Sequence, residues 1–93
     1  MKAASEQAIS DFLAANERWA LLDGKLRQDF KFGDFSEAFA FMTRSAMVAE
    51  TMNHHPEWFN VYNRVRVELT THDANGISEL DFEMARQMDV FAT

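Results

Sequence analysis

An α+β fold, a two-layer (α/β) domain whose four-stranded antiparallel sheet is covered on one face by helices, is predicted by three observations on this 93-residue sequence. Residues 18–32 and 58–72 alternate apolar and polar side chains, as half-buried strands do. Both stretches are interrupted by turn chemistry, which favours antiparallel hairpins over parallel crossovers. Around them, residues 5–16, 36–54 and 78–91 repeat apolar residues at helical spacing, giving the order α-β-β-α-β-β-α and helices gathered on one side of the sheet.

The first helix, SEQAISDFLAAN, carries Ala8, Phe12 and Ala15 along one stripe. In RWALLDGKLRQDFKF the Asp23-Gly24 pair supplies the positive φ values of a tight hairpin turn. Beyond it, Leu26, Gln28, Phe30 and Phe32 alternate with Arg27, Asp29 and Lys31, so the first set is expected to face the helices. The central helix is expected to start at an N-cap Ser36 and to run to about His54, with Phe39, Met42, Ala46, Ala49 and Met52 as its buried stripe. Pro56, the only proline, cannot donate a backbone N–H and disfavours helical geometry at His55, so the helix should stop near the histidine pair.

WFNVYNRVRVELTTH is rich in β-branched and aromatic residues, with the break between its two strands placed at Asn63-Arg64. Val65, Val67, Leu69 and Thr71 share the inner face of the later strand, and Arg64, Arg66, Glu68, Thr70 and His72 the outer. After a loop from Asp73 to Gly76, Ser78-Glu79-Leu80-Asp81 reads as a capping box. Leu80, Met84, Met88 and Phe91 then form the last helical stripe.

Composition narrows the functional classes. A chain of this length supports one domain spanning residues 1–93, and a formal charge of −6 argues against a partner bound through its phosphate backbone. The lack of cysteine removes disulfides, thiolate nucleophiles and Cys-ligated zinc. No apolar run approaches the ~20 residues of a membrane span, and the start of the chain lacks the pattern of a secretory signal, so a cytoplasmic protein is expected.

The residues suited to chemistry are His54, His55 and His72, all at the ends of predicted elements. Imidazoles titrate near pH ~6.5, so one ring donates a proton while another accepts one at neutral pH. Glu50, four residues before His54 on a continuing helix, would either hold that ring's tautomer or form only a solvated helix pair. A plainer reading stands beside this one, since histidines are favoured at helix C-termini and His-Pro is ordinary helix punctuation. Zinc is disfavoured because adjacent helical residues diverge by about 100° and no i, i+4 histidine pair exists. Trp58, Phe59 and Tyr62 suit either stacking on a flat heterocycle or, more commonly for strand aromatics, a place in the core.

Intervals across this region resemble a known signature. Three residues separate Glu50 from His54-His55-Pro56, five separate Pro56 from Tyr62, nine separate Tyr62 from His72, and eight separate His72 from Asp81. With the flanks RWALLDGKLRQDFKFGDFSEAFAFMTRSAMVAE and VELTTHDANGISELDFEMAR, the chain resembles the pterin-4a-carbinolamine dehydratases. The resemblance implies a four-stranded antiparallel sheet backed by helices. It also implies dehydration of 4a-hydroxytetrahydrobiopterin to quinonoid dihydropterin, which recycles the cofactor of aromatic amino acid hydroxylases.

By that resemblance His54, His55 and His72 are the catalytic histidines. His54 and His72 would form the acid/base pair, and His55, with Glu50, Pro56 and Trp58, would bind the substrate. Asp81 would serve as an orienting or capping residue. Pterin is then substrate, and no cofactor or metal is required. The resemblance further implies a homodimer or homotetramer and a functional link to a hydroxylase. Two alternatives accompany it: a dimerisation cofactor binding a transcription factor through an exposed helix, and an auxiliary pterin-pocket protein of another cofactor pathway.

Overall fold

Asp23 and Gly24, with φ of 52° and 76°, close a two-residue turn between strands β1 (Ala20–Leu22) and β2 (Lys25–Lys31). Both central residues of such a turn need positive φ, which explains the Asp-Gly pair there. In this computed structural model, which describes residues 1–93, β2 continues the sheet to β4 (Arg64–Leu69) and β4 to β3 (Glu57–Val61). The strand order is β1-β2-β4-β3, and every neighbouring pair is antiparallel. Helices α1 (Glu6–Ala15), α2 (Phe35–Met52) and α3 (Glu79–Phe91), with a 3-10 turn at His72–Ala74, complete the expected order.

Cross-strand register fixes which face is buried. Leu26 lies opposite Leu69, Gln28 opposite Val67 and Phe30 opposite Val65, and all six are buried beneath the helices. Phe12 of α1, Phe41 of α2 and Phe82, Met84 and Met88 of α3 fill the space above them. The rings of Phe12 and Phe82 stack at 4.7 Å. Two polar groups enter this layer with partners: the Trp19 indole and the Gln28 amide each donate to Asp89 at 3.0 Å. No helix is long and apolar enough to cross a membrane.

Four expectations are corrected. Asp34, not Ser36, caps α2, because its carboxylate accepts the Glu37 N–H at 2.8 Å. The buried stripe of α2 is Ala38, Phe41, Ser45 and Ala49, with Met42, Val48 and Met52 partly covered; Phe39 is 56% exposed and Ala46 exposed. Apolar residues occupy two sides of this helix, so periodicity alone does not select the inner one. In α1, Ala15 is exposed, and Ile9 and Leu13 flank Phe12 instead. Finally, the β3–β4 turn is Tyr62-Asn63, with Val61 opposite Arg64 and Tyr62 at φ 50°. Asn63 secures it by donating its side-chain amide to the Phe32 carbonyl at 3.0 Å.

Ser45 illustrates a local cost. Its hydroxyl is fully buried and lacks a hydrogen-bond partner, a desolvation penalty of about 1–3 kcal/mol. Ser45→Ala is expected to stabilise the protein by about 1 kcal/mol in urea titration, and a loss of stability would show that the hydroxyl is satisfied in solution. On the open face of the sheet, Arg66 donates to Asp29 at 2.8 Å and holds its carboxyl below the usual carboxylate range, with burial opposing. A carboxylate depressed in the folded state stabilises the fold above its unfolded pKa of ~3.9, and that contribution disappears as pH falls through the folded value. Wild type should therefore exceed Asp29→Asn in stability at neutral pH, and the gap should close in acid; a gap independent of pH would contradict the ion pair.

Candidate active site

The end of α2 decides where the histidines go. Asn53 adopts the left-handed conformation at φ 50°, and the His54 N–H returns to the Ala49 carbonyl at 3.0 Å. This closure turns the chain out of the helix one residue before the pair. His54 consequently leaves the position four residues along from Glu50, and the expected Glu50–His54 contact is absent. Glu50 instead meets His55, Oε2 to Nε2 at 2.5 Å, on the surface.

His54 turns inward and lies 8% exposed, with its Nε2 2.6 Å from Asp81 Oδ1. Asp81 is fully buried and also completes the capping box of α3 by accepting the Ser78 N–H on Oδ2 at 2.9 Å. The same oxygen accepts the Thr71 hydroxyl at 2.7 Å. Asp81 thus has two tasks, the capping role read from the sequence and contact with a histidine. His72, at the start of the 3-10 turn, is 85% exposed and places Nε2 3.6 Å from Glu57 Oε2. The other Glu57 oxygen accepts from Lys25 Nζ at 2.6 Å, which holds the Glu57 carboxyl below its ordinary range and the Lys25 ammonium above its own.

One hydrogen-bonded tie, from His54 through Asp81 to Thr71, fastens the start of residues 54–57 to residues 71–72, and at the other end Glu57 faces His72 across 3.6 Å. Chain neighbours do the rest, since His55 and Pro56 lie between His54 and Glu57. All three histidines come to the rim where β3 begins and β4 ends. Pro56 and Trp58 sit half-buried at the same end, with Trp58 packed against the core.

Tyr62 is not brought to this rim. It occupies the β3–β4 turn, the length of β3 away, roughly 13 Å for a five-residue strand. Phe59 and Tyr62 are exposed, so neither takes the core position usual for a strand aromatic.

All three rings present Nε2 to a carboxylate. An ionised carboxylate only accepts, so in the hydrogen-bonded pairs of His54 and His55 Nε2–H is the donor and Nδ1 is left as the free nitrogen, whereas His72, at 3.6 Å from Glu57, is held in neither tautomer. The His54 Nδ1 has no protein partner, yet Ser45 Oγ is the sole buried side-chain polar atom lacking one. Nδ1 of His54 therefore reaches solvent. The arrangement can hold one imidazole firmly as an acceptor while two more mobile imidazoles exchange protons beside it. A separate hollow of about 400 Å³ on the open sheet face, between Asp29, Lys31, Phe59 and Arg64, contains no histidine and offers no such couple.

Glu57, Lys25 and Thr71 were not among the residues singled out from sequence. Glu57 had a signal available, since it follows His-His-Pro directly at the start of a strand. Lys25 lies 32 residues away, and only the sheet register brings it across β4.

Known proteins match this chain in sequence and in backbone. The pattern of the family described as Pterin 4 alpha carbinolamine dehydratase matches residues 2–91. A protein of Solibacter usitatus, provisionally named pterin-4-alpha-carbinolamine dehydratase, is 52% identical over 88 residues, covering 95% of this chain and 93% of that one. One of the same provisional name from Synechococcus is 59% identical over 71 residues, or 76% of each chain. The crystal structure of a transcriptional coactivator/pterin dehydratase from Brucella melitensis superposes with a TM-score of 0.94 at 47% identity, covering 99% of this chain and all of the other. A pterin dehydratase-like protein identified as a RuBisCO assembly factor in the alpha-carboxysome shares the fold at 22% identity and a TM-score of 0.67, over 81% of this chain and 87% of its own. With nearly the whole chain matched in sequence and in backbone, this protein belongs to the pterin-4a-carbinolamine dehydratase family.

Proposed function

We propose that the protein is a hydro-lyase that dehydrates 4a-hydroxytetrahydrobiopterin to quinonoid dihydropterin, with histidines as the acid and base. The observation that carries this reading is the set of three histidines on one rim, each with a carboxylate facing its Nε2, at hydrogen-bond distance for His54 and His55 and at 3.6 Å for His72. Dehydration removes the 4a-hydroxyl with a proton supplied by an acid and removes the N5 proton to a base. The C4a–O bond breaks as a C4a=N5 double bond forms, and water leaves. Its needs are two proton-transfer groups in register and no redox partner.

His54 is assigned as the base. Asp81 accepts from its Nε2, stabilises the imidazolium that forms, and leaves Nδ1 to take the N5 proton. His72, beside Glu57, is assigned as the acid that protonates the hydroxyl. His55 and Glu50, with Pro56 and Trp58, are assigned to hold the pterin. Pterin is the substrate in this scheme, and no resident cofactor or metal takes part. The physiological setting proposed is cytoplasmic recycling of the cofactor for aromatic amino acid hydroxylases.

A second observation concerns partners. Phe35, Phe39 and Met47 are exposed along the outer side of α2, and the rings of Phe35 and Phe39 lie 5.8 Å apart. Large apolar side chains exposed on one helix, two of them in contact, favour contact with another chain. It supports a homodimer or homotetramer, or a protein partner of the kind the name of the Brucella relative implies.

The direct test generates 4a-hydroxytetrahydropterin with a phenylalanine hydroxylase and follows its loss. Wild type should exceed the spontaneous rate, while His54→Ala and His72→Ala should each lower kcat by roughly 10²–10⁴-fold, the usual contribution of general acid/base catalysis. A wild-type rate equal to the spontaneous one would remove the enzyme reading. Full activity in both variants would remove these assignments. For the stripe, Phe39→Glu should lower the assembled mass in light scattering; an unchanged mass would exclude α2 as the contact.

A further inference from the structure

We infer that Thr71 is a positioning residue for His54, acting through Asp81; this rests on the assignment of His54 to proton transfer. The inference follows from complete proton accounting in a closed network. Thr71, Ser78, Asp81 and His54 are all buried, at 4%, 0%, 0% and 8% exposure. Asp81, as a carboxylate, accepts His54 Nε2–H on Oδ1, and Ser78 N–H and the Thr71 hydroxyl on Oδ2. The single hydroxyl proton of Thr71 is thereby committed to Asp81. The 2.7 Å contact between the Thr71 and Ser78 hydroxyls must therefore run from Ser78 to Thr71. Ser78 Oγ in turn accepts from the Leu80 N–H. Every proton in the chain has one direction, ending on Asp81.

Without the Thr71 hydroxyl, Oδ2 keeps only the Ser78 N–H, and the Ser78 hydroxyl loses its acceptor. The carboxylate plane is then free to turn, and His54 turns with it. Displacements of this kind change the rate of proton transfer more than the affinity for substrate. Thr71 also acts through its main chain. Its N–H donates to the Gly76 carbonyl at 2.9 Å and its own carbonyl accepts from Ala74 and Gly76, closing the turn that carries His72. Replacing the side chain separates the two tasks, because the main-chain bonds are unaffected.

The test compares Thr71→Val, nearly isosteric but lacking the hydroxyl, with Thr71→Ser, which retains it. Thr71→Val is expected to lower kcat by roughly ten- to a hundredfold with KM changed by about twofold or less, and Thr71→Ser to restore most of the loss. In NMR spectra of the free protein, the His54 Nε2–H signal should move and broaden in Thr71→Val, while the His72 ring signals stay in place. Should Thr71→Val fail to fold, Thr71→Ala carries the same comparison. Wild-type kcat in the hydroxyl-free variant, an unmoved His54 signal, or equal movement of the His54 and His72 signals would overturn the inference. An inactive wild type with His54 alone perturbed in the variant would instead count against the proposed reaction while leaving the positioning role intact.

Discussion

Asp81 is the constraint on which the architecture of this rim depends. An isolated carboxylate with no solvent access would cost several kcal/mol, and this one is acceptable only because its two oxygens receive three donors from three parts of the chain. Ser78 supplies the start of α3, Thr71 the link from β4 to the 3-10 turn and His54 the exit of α2. Each donor separately satisfies a local requirement: a helix cap, a buried hydroxyl and a buried imidazole. Taken together they form a junction that none of the three elements forms alone. Loss of any donor leaves a buried acceptor or donor uncompensated, so the junction resists partial opening.

The three histidine–carboxylate pairs around this junction differ in exposure, at 8%, 57% and 85% for His54, His55 and His72, and in length, at 2.6, 2.5 and 3.6 Å. Exposed pairs contribute about 0–1 kcal/mol and leave their side chains mobile. The buried pair holds one orientation. Of the three imidazoles, one is therefore fixed and two are free to move. Glu57 modifies the most exposed member: with one oxygen committed to Lys25 at 2.6 Å, it keeps the other directed at His72 without closing a bond to it.

Much of this was legible in the sequence where local chemistry dominates. Asp23-Gly24 predicts its turn because two positive φ values leave few alternatives, and Ser78 with Asp81 predicts a cap because the spacing is that of the motif. The strand faces followed from alternation, since a slip of one residue would expose Val65, Val67 and Leu69 together. The rotation of α2 was less legible. Phe39 is larger and more apolar than Ser45, yet Ser45 is inside and Phe39 outside, so the packing follows the position of the helix on the sheet and not the hydropathy of single residues. The histidines could be named from their spacing, but their partners could not. Asp81 lies 27 residues from His54, and His72, in the 3-10 turn, faces a glutamate at the start of β3.

The misassigned partner of Glu50 has a physical lesson of its own. An i, i+4 pair presumes that the helix continues through both residues, and Pro56 was expected to end it only near the histidines. Termination comes earlier because Asn53 accepts the left-handed conformation at modest cost and the His54 N–H can then cap the helix from outside. That one change of hand sends adjacent residues in opposite directions, His54 into the junction with Asp81 and His55 back along the helix to Glu50. A continuing helix would have separated the pair by only about 100° and kept both on its surface. The left-handed residue is thus what allows two neighbouring histidines to occupy environments as different as a buried carboxylate and open solvent.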